Sequence, residues 1–149
     1  TVEAMKRVIL YTQENVPVAP MHEMRVADDK TQQNAISESA VALAEQLRVV
    51  AIVAETKSGA TALNIASHRP SLPIVSVTSS SRASQQLALS YANKSFVRPD
   101  GEKAGFEIAK ELKERGFFHE DNEISVVIVS GRQPGQIGAT DTIRVRKVA

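Results

Sequence analysis

The chain has 149 residues, of which 42% are apolar and 23% are charged, with a formal net charge of +1 at pH 7. This length and composition are typical of one globular domain and exclude a disordered tail, a collagen-like fibre and a coiled coil. The lack of cysteine excludes a disulfide scaffold and a thiol nucleophile, and the balanced charge argues against a nucleic-acid or membrane-surface partner.

An apolar stripe at helical spacing predicts a helix over residues 1–15, with charged side chains on its other faces. Pro17 ends this helix, because a proline inside a helix removes a backbone hydrogen bond. Residues 16–28 are typical of a connector and indicate a possible internal domain boundary. Residues 1–28 are therefore expected to form a helix and a connector, and residues 29–149 the main domain.

A second helix is predicted from about Lys30 to Arg48. Asp29 stands where an N-cap is expected, and Gln32, three residues later, has the spacing of a capping box. Its apolar stripe consists of Ile36, Ala40, Leu43, Ala44 and Leu47. This stripe is the face that we expect to pack against the rest of the domain.

From residue 49 onward, strand patterns alternate with helix patterns. Residues 49–54 form an apolar run rich in β-branched side chains, which is typical of a strand buried on both faces in a parallel sheet. Further strands are predicted at 73–77, 95–97, 124–129 and 142–148, and helices around 63–66, 83–91 and 104–112. This order predicts a layered α/β/α fold. The last connection lacks a crossover helix, so the final strand is expected to run antiparallel to its predecessor, at an edge.

The segment Thr56–Thr61, with the sequence TKSGAT, is the first candidate binding site. It follows a buried strand and opens a helix, and ligands of such folds bind beyond the carboxyl ends of the strands. Hydroxyls, Lys57 and the free N–H groups of a helix N-terminus favour a phosphate. The spacing is not that of a nucleotide P-loop. A plain capped turn, with Ser58 as N-cap and Lys57 in solvent, is the alternative interpretation.

The segment Ser130–Gly138 is the second candidate. Its glycines allow a close approach of the backbone to a ligand, and Arg132 could hold a phosphate with its guanidinium fork. A long hairpin loop with a solvated arginine explains the same residues equally well. A third polar cluster, Thr78–Arg82, is better explained as a helix cap with a surface arginine.

Catalytic machinery is not identified in the sequence. His22, His68 and His119 are scattered and show no metal-ligand spacing, and no GxSxG motif supports a serine nucleophile. Aromatic residues make up 4% of the chain, too few to form a stacking platform for single-stranded nucleic acid. We therefore expect no catalytic residues and no metal site in this chain.

An ordered set of motifs carries a family resemblance. These motifs are NAIS at 34–37, AIVAETKSGATA at 51–62, RPSLPIVSVT at 69–78, SRASQQLAL at 81–89 and VVIVSGRQPGQIGATDTIRV at 126–145. With them, the chain from about Thr31 to Val148 resembles the C-terminal domain of pyruvate kinase. The opening TVEAMKRVILYTQ is similar to the helix with which the family's catalytic barrel ends.

The resemblance implies a three-layer α/β/α fold with a five-stranded, mostly parallel sheet whose last strand is antiparallel. It also implies that this chain alone lacks the active site. In the family, the barrel domain transfers a phosphoryl group from phosphoenolpyruvate to ADP, with magnesium and usually potassium. The implied parent is therefore a cytoplasmic glycolytic transferase, and the barrel is an implied partner of this domain.

The resemblance further implies an allosteric sugar phosphate bound between the two candidate loops. Carried over by position, the phosphate cradle comprises Thr56, Lys57, Ser58, Gly59 and Thr61, and the closing loop contributes Arg132, Gly135 and Gly138. Ala60 departs from the arginine of many relatives, and Arg132-Gln133 replaces an aromatic residue. A sugar monophosphate, another metabolite or no regulation at all therefore remain alternatives to fructose bisphosphate.

The family assembles as tetramers in which these domains meet, and Thr142–Val148 is the expected contact strand. Two other functions stay open on the sequence alone. One is a stand-alone protein of the same fold acting as a metabolite sensor or enzyme. The other is a structural assembly module whose candidate loops are ordinary helix caps.

Overall fold

The computed structural model describes residues 1–17, 31–131 and 140–149. The helices in these ranges are α1 (Val2–Asn15), α2 (Gln32–Gln46), α3 (Ala60–Ser67), α4 (Ser81–Leu87) and α5 (Ala104–Glu114). The strands are β1 (Ala51–Glu55), β2 (Ile74–Thr78), β3 (Asn93–Val97), β4 (Ile124–Ser130) and β5 (Thr142–Val148). The predicted alternation of strands and helices is confirmed.

The strands form one five-stranded sheet in the order β3-β2-β1-β4-β5. β1, β2, β3 and β4 are parallel, and β5 pairs antiparallel with β4 from Ile124↔Val148 to Ser130↔Thr142. The expected antiparallel final strand at an edge is therefore confirmed. Because β1 lies at the centre of the sheet, the turn after it borders the ends of β2 and β4.

Helices cover both faces of the sheet. Successive side chains of β1 point to opposite faces, so Ile52 and Ala54 join one hydrophobic cluster while Ala51 and Val53 join the other. The first cluster includes buried residues of α2, α3 and α4, and the second includes buried residues of α5. This is the three-layer α/β/α architecture that the sequence predicts.

The start of α2 differs from the predicted one. The helix begins at Gln32, and the Thr31 hydroxyl accepts a hydrogen bond from the Asn34 N–H at 3.2 Å. The predicted start at about Lys30 is thus placed two residues later, because Thr31 has an extended backbone and acts as the N-cap. Asp29, the predicted cap, lies outside the described residues.

The first helix forms as predicted but buries none of its side chains. Val2, Met5, Val8 and Tyr11 are each exposed over more than half of their surface. The proposed division into 1–28 and 29–149 stays a prediction, since residues 18–30 lie outside the described part of the chain. Within that part, no helix has the length and apolar character needed to cross a bilayer.

Candidate functional site

The segment 56–61, here called the α3 turn, connects the carboxyl end of β1 to the first turn of α3. The Thr56 N–H donates to the carbonyl of Val77 at 2.9 Å, which fixes the start of the turn against β2. The Gly59 N–H donates to the Thr56 hydroxyl at 3.0 Å, and the Ala60 N–H donates to the Ser58 hydroxyl at 3.4 Å. The turn thus caps itself with the hydroxyls that the sequence singled out for a ligand.

Glycine is required at the centre of this turn. Gly59 is the N-cap of α3 and has a φ of +92°, a left-handed conformation that strains other residues. A Cβ at this position would also meet the Leu87 side chain at 3.3 Å. The alternative interpretation, a plain capped turn, was therefore wrong in naming Ser58 as the N-cap, because the chain turns at Gly59 before the helix begins.

Lys57 lies at the surface of the turn, with an ion-pair partner. Its ammonium is 3.6 Å from the carboxylate of Asp100, in the segment that follows β3. Its carbonyl accepts a hydrogen bond from the Thr78 hydroxyl at 3.2 Å. The backbone of Lys57 is therefore held by β2, while its side chain reaches toward the loop beyond β3.

The Thr61 side chain contacts Thr140, whereas the Lys57 side chain contacts Asp100. The Thr61 side chain is buried, and its hydroxyl is 2.8 Å from the hydroxyl of Thr140, in a hydrogen bond that either group could donate. Gln32 donates to the Thr140 carbonyl at 3.3 Å, which ties the same residue to α2. Thr140 lies two positions beyond the segment 131–138, here called the second loop. Arg132, Gly135 and Gly138 of that loop lie outside the described residues.

The hydroxyl cluster after β2 is a helix cap, as predicted. The Ser80 hydroxyl accepts from the Ala83 N–H at 3.2 Å at the start of α4, and Arg82 is exposed. The Thr78 hydroxyl, which is buried, accepts from the Ser80 N–H at 3.1 Å and also supports the α3 turn through Lys57. Through this hydrogen bond to Lys57, the third cluster holds the backbone of the α3 turn in place.

A charged cluster that the sequence analysis missed lies at the same edge of the sheet. Glu55, the last residue of β1, accepts from the Gly105 N–H in the first turn of α5 at 2.8 Å. Its other oxygen is 3.4 Å from Arg144 of β5, which also donates to the Ser130 hydroxyl at 3.4 Å. The signals were a glutamate ending an apolar run and an arginine in an edge strand, but their contact depends on the strand order.

A second ion pair fixes the loop that carries Asp100. Arg98 donates to both carboxylate oxygens of Glu111 on α5, at 2.8 and 3.0 Å. This hydrogen bonding, more than any other contact, holds the pKa of the Glu111 carboxyl below its ordinary value, and Arg115 lowers it further. The segment between β3 and α5 is thus tied to the helix that it enters.

Nothing in the described ranges assembles a metal centre: no three His, Asp or Glu side chains come together there as ligands. His68 is buried, with Nε2 3.2 Å from the side-chain oxygen of Asn34, and His119 is exposed. His22 lies outside the described residues.

Comparison with known proteins identifies the family. The family model described as "Pyruvate kinase, alpha/beta domain" matches residues 34–146. The chain is 31% identical to a pyruvate kinase of Mycobacterium intracellulare and 30% identical to one of Mycobacterium tuberculosis, over 99% of its own length and 31% of theirs. It is 34% identical to pyruvate kinase 2 of Synechocystis, over 77% of this chain and 20% of that protein.

The chain thus spans less than a third of the length of the relatives it matches. The family match covers β1 to β4 and most of β5, including the α3 turn and the second loop. Together with the five-stranded sheet and its antiparallel last strand, the match leads to one conclusion. The chain belongs to the pyruvate kinase family and is its C-terminal α/β domain.

Proposed function

We propose that this domain is the effector-binding and assembly domain of a pyruvate kinase, and that a sugar phosphate binds between the α3 turn and the second loop. The observation that carries the proposal is the 2.8 Å hydrogen bond between Thr61 and Thr140. It joins the first turn of α3 to the chain just beyond the second loop, at the end of the sheet where the parallel strands have their carboxyl ends. The roles of Arg132, Gly135 and Gly138 in this site remain predictions.

A phosphate at the α3 turn would meet three kinds of donor. The helix N-terminus supplies backbone N–H groups and the positive end of the helix dipole, Thr56 and Ser58 supply hydroxyls, and Lys57 supplies a cation. Both hydroxyls already accept hydrogen bonds inside the turn. Each can still donate its own hydrogen to a phosphate oxygen, so binding does not require the turn to unfold.

The whole protein is proposed to transfer a phosphoryl group from phosphoenolpyruvate to ADP, as a cytoplasmic enzyme of glycolysis. Support comes from the relatives, each of which is named a pyruvate kinase. In this proposal magnesium and potassium act in the catalytic barrel, and this domain contributes no catalytic residue. Its proposed role is to bind the effector, and effector binding in turn changes how the subunits are arranged in the assembly.

Assembly is proposed to use the free edge of β5. Among the strands of the described residues, β5 pairs with β4 alone, and an unpaired edge offers backbone donors and acceptors to a second strand. Val145 on this strand is 39% exposed. Two copies of β5 meeting across a two-fold axis would form the same contact twice.

Val145→Asp should then reduce the molecular mass of the assembly formed by the full-length protein. Leu89→Asp, at an exposed leucine beyond α4, should leave that mass unchanged.

The binding site is tested by calorimetric titration of the full-length protein with ribose 5-phosphate, glucose 6-phosphate and fructose 1,6-bisphosphate. We expect saturable binding of at least one of them, weakened about tenfold or more by Lys57→Ala, because a charge-assisted hydrogen bond to phosphate is lost. Lys110→Ala is the matched control, since Lys110 is also an exposed lysine but lies in the middle of α5, outside both the α3 turn and the assembly strand.

One observation favours a second candidate, a structural assembly module without an effector. The α3 turn satisfies two of its N–H groups with its own hydroxyls, as an ordinary cap does. In that case the wild-type protein would bind none of the three sugar phosphates, and Lys57→Ala would leave both assembly and stability unchanged. Loss of assembly on Val145→Asp without any phosphate binding would favour this module.

A further inference from the structure

Arg144 lies where the two candidate loops meet the sheet. Its terminal nitrogen Nη2 is 3.4 Å from the carboxylate of Glu55 and 3.4 Å from the hydroxyl of Ser130. Glu55 is the last residue of β1, directly before the α3 turn, and Ser130 is the last residue of β4, directly before the second loop. One side chain of β5 thus contacts the residue that precedes each loop.

The contacts of Arg144 are largely shielded from water. Ser130 is buried, and the side chains of Arg144 and Glu55 are 20% and 17% exposed. The Nε atom of Arg144 is also buried, and it has no hydrogen-bond partner within the described ranges. Because a buried charge costs free energy unless it is paired, a movement of Glu55 or Ser130 would change the energy of the guanidinium directly.

The far end of the second loop is fixed on the opposite face of the sheet. Thr140 bonds to Thr61 in the first turn of α3 and accepts from Gln32 of α2, two helices that cover that face. Arg144 lies opposite Ile128 of β4, on the face that α5 covers. Each end of the second loop is therefore connected to the α3 turn or to the residue before it, and Arg144 makes one of these connections.

We propose that Arg144 is a positioning residue that couples phosphate binding at the two loops to assembly through β5. This inference rests on the proposed function, in which the loops hold the phosphate and β5 forms the contact between subunits. A ligand held by both loops restricts Glu55 and Ser130, the residues that precede them. Because Arg144 contacts both of these residues and belongs to β5, it transmits the restriction to the strand, next to Val145 at the proposed subunit contact.

Such a coupling is reciprocal, so its size can be measured on the assembly. If ligand binding changes the stability of the assembly by some factor, assembly changes the affinity for the ligand by the same factor. Couplings between sites are typically about 5- to 150-fold. Both contacts of Arg144 lie at the long end of hydrogen-bond distances, so we expect a factor near the lower limit, about tenfold.

The test measures the dissociation constant of the full-length assembly by analytical ultracentrifugation. It is measured without ligand and with saturating ribose 5-phosphate, glucose 6-phosphate or fructose 1,6-bisphosphate. Arg144→Gln removes the charge that pairs with Glu55. Arg146→Gln is the matched control, because Arg146 is exposed on the same strand and donates to the carbonyl of its neighbour Val145 at 3.2 Å. The quantity compared is the factor by which a ligand changes the constant, so a direct effect of either variant on assembly cancels.

We expect a ligand to change the constant about tenfold in wild type and in Arg146→Gln. In Arg144→Gln the change should be less than about threefold, although calorimetric titration should show that the ligand still binds. Should Arg144→Gln fail to fold, Glu55→Gln decides by the same criterion. It removes the charge beside Arg144 and keeps an oxygen that can accept from the Gly105 N–H.

Three results would overturn this inference and leave the proposed binding site standing. They are an equal factor in Arg144→Gln and wild type, a bound ligand without effect on wild-type assembly, and a loss of ligand binding in a folded Arg144→Gln, which would place Arg144 in binding rather than in coupling. If wild type bound none of the three ligands or did not assemble, the proposed function itself would fail, and this inference with it.

Discussion

Two helices, α3 and α5, begin at the same edge of the sheet, and their first turns are completed in different ways. At the start of α5, the Glu55 carboxylate accepts from the Gly105 N–H at 2.8 Å, and Arg144 balances its charge. At the start of α3, the chain supplies only the hydroxyls of Thr56 and Ser58, with Lys57 beside them. One helix N-terminus has its own anion, and the other has none among the contacts described.

Both helix starts follow from one physical preference of helices. Every helix N-terminus favours a negative charge, because its first N–H groups lack partners within the helix and the dipole is positive there. When the chain supplies the carboxylate, as at α5, the result is a structural link between β1, α5 and β5. Where the chain supplies neutral hydroxyls and a lysine, as at α3, we propose that an external anion binds.

Removing the carboxylate at the α5 start should have the largest effect on stability. Glu55→Ala leaves Arg144, which is 20% exposed, without its counter-charge, and we expect a loss of about 2–4 kcal/mol in the free energy of unfolding. Urea denaturation measures this loss. A second substitution, Arg144→Met, removes the unpaired charge and should restore part of the loss, so the double variant should lose less than the two single variants together.

If Glu55→Ala cost less than about 0.5 kcal/mol, the value of an ordinary surface substitution, the α5 start would not depend on its internal anion. A strictly additive double variant would likewise contradict the coupling between Glu55 and Arg144. Either result would contradict the stabilising role of Glu55 and Arg144 at the start of α5, and neither would bear on the α3 turn.

A substitution at Gly105 tests the same contact from the helix side. A Cβ there would lie 2.7 Å from the Glu55 carboxylate oxygen and 3.1 Å from Ile128, so Gly105→Ala should destabilise the protein by about 1–2 kcal/mol. Gly101→Ala is the matched control, because a Cβ at Gly101 has no neighbour within 4 Å. Thermal unfolding of the two variants should separate them, and equal melting temperatures would contradict the tight fit.

The α3 start should tolerate the loss of its hydrogen bond better. Thr61→Val keeps the shape of the side chain and removes the bond to Thr140, with an expected loss of about 1 kcal/mol. The control, Thr12→Val, removes an exposed bond to the Val8 carbonyl on α1 and should cost under about 0.5 kcal/mol. If Thr61→Val were no more destabilising than Thr12→Val by urea denaturation, the link between the α3 turn and Thr140 would not contribute to stability.

The smallest effect is expected at the loop that leads into α5, and it depends on pH. Glu111 has a pKa lowered below its ordinary value of 4.5, chiefly by the hydrogen bond from Arg98. Stability from this contact is present above the ordinary value and is lost as the pH falls through the lowered pKa. Arg98→Gln should therefore be less stable than wild type at neutral pH, and the difference should disappear in acid.

Denaturation at a series of pH values measures that difference, and an NMR titration of the Glu111 carboxyl should show its pKa rising in Arg98→Gln. Lys110→Gln, at an exposed position on the same helix, is the control. A difference between Arg98→Gln and wild type that persisted unchanged below the lowered pKa would mean that Arg98 stabilises the loop by packing rather than through Glu111.

Much of the fold could be predicted from local patterns. The apolar run at 49–54 predicted a strand buried on both faces, and the alternation at 142–148 predicted an edge strand, because each pattern indicates how many faces of a strand are covered. Periodicity predicted α1 as well as it predicted α5, yet only α5 buries an apolar face. A helical pattern indicates that a face can be buried, without indicating what covers it.

The site was harder to predict, because its contacts cross the sheet. The residue types of the α3 turn predicted a helix N-terminus suited to an anion. The structure shows this turn at the start of α3, closed by hydrogen bonds to its own hydroxyls. The contacts of Lys57 with Asp100 and of Glu55 with Arg144 join residues 43 and 89 positions apart. They depend on the strand order β3-β2-β1-β4-β5, which no local pattern in the sequence reveals.

The most direct test of the contrast between the two helix starts is a crystal structure of the full-length protein with ribose 5-phosphate at saturating concentration. We expect a phosphate group within hydrogen-bond distance of the Thr56 and Ser58 hydroxyls, with the Lys57 ammonium moved from Asp100 onto it. Glu55 should remain on Gly105. A phosphate bound elsewhere, or none at the α3 turn, would contradict the proposed effector site at the start of α3.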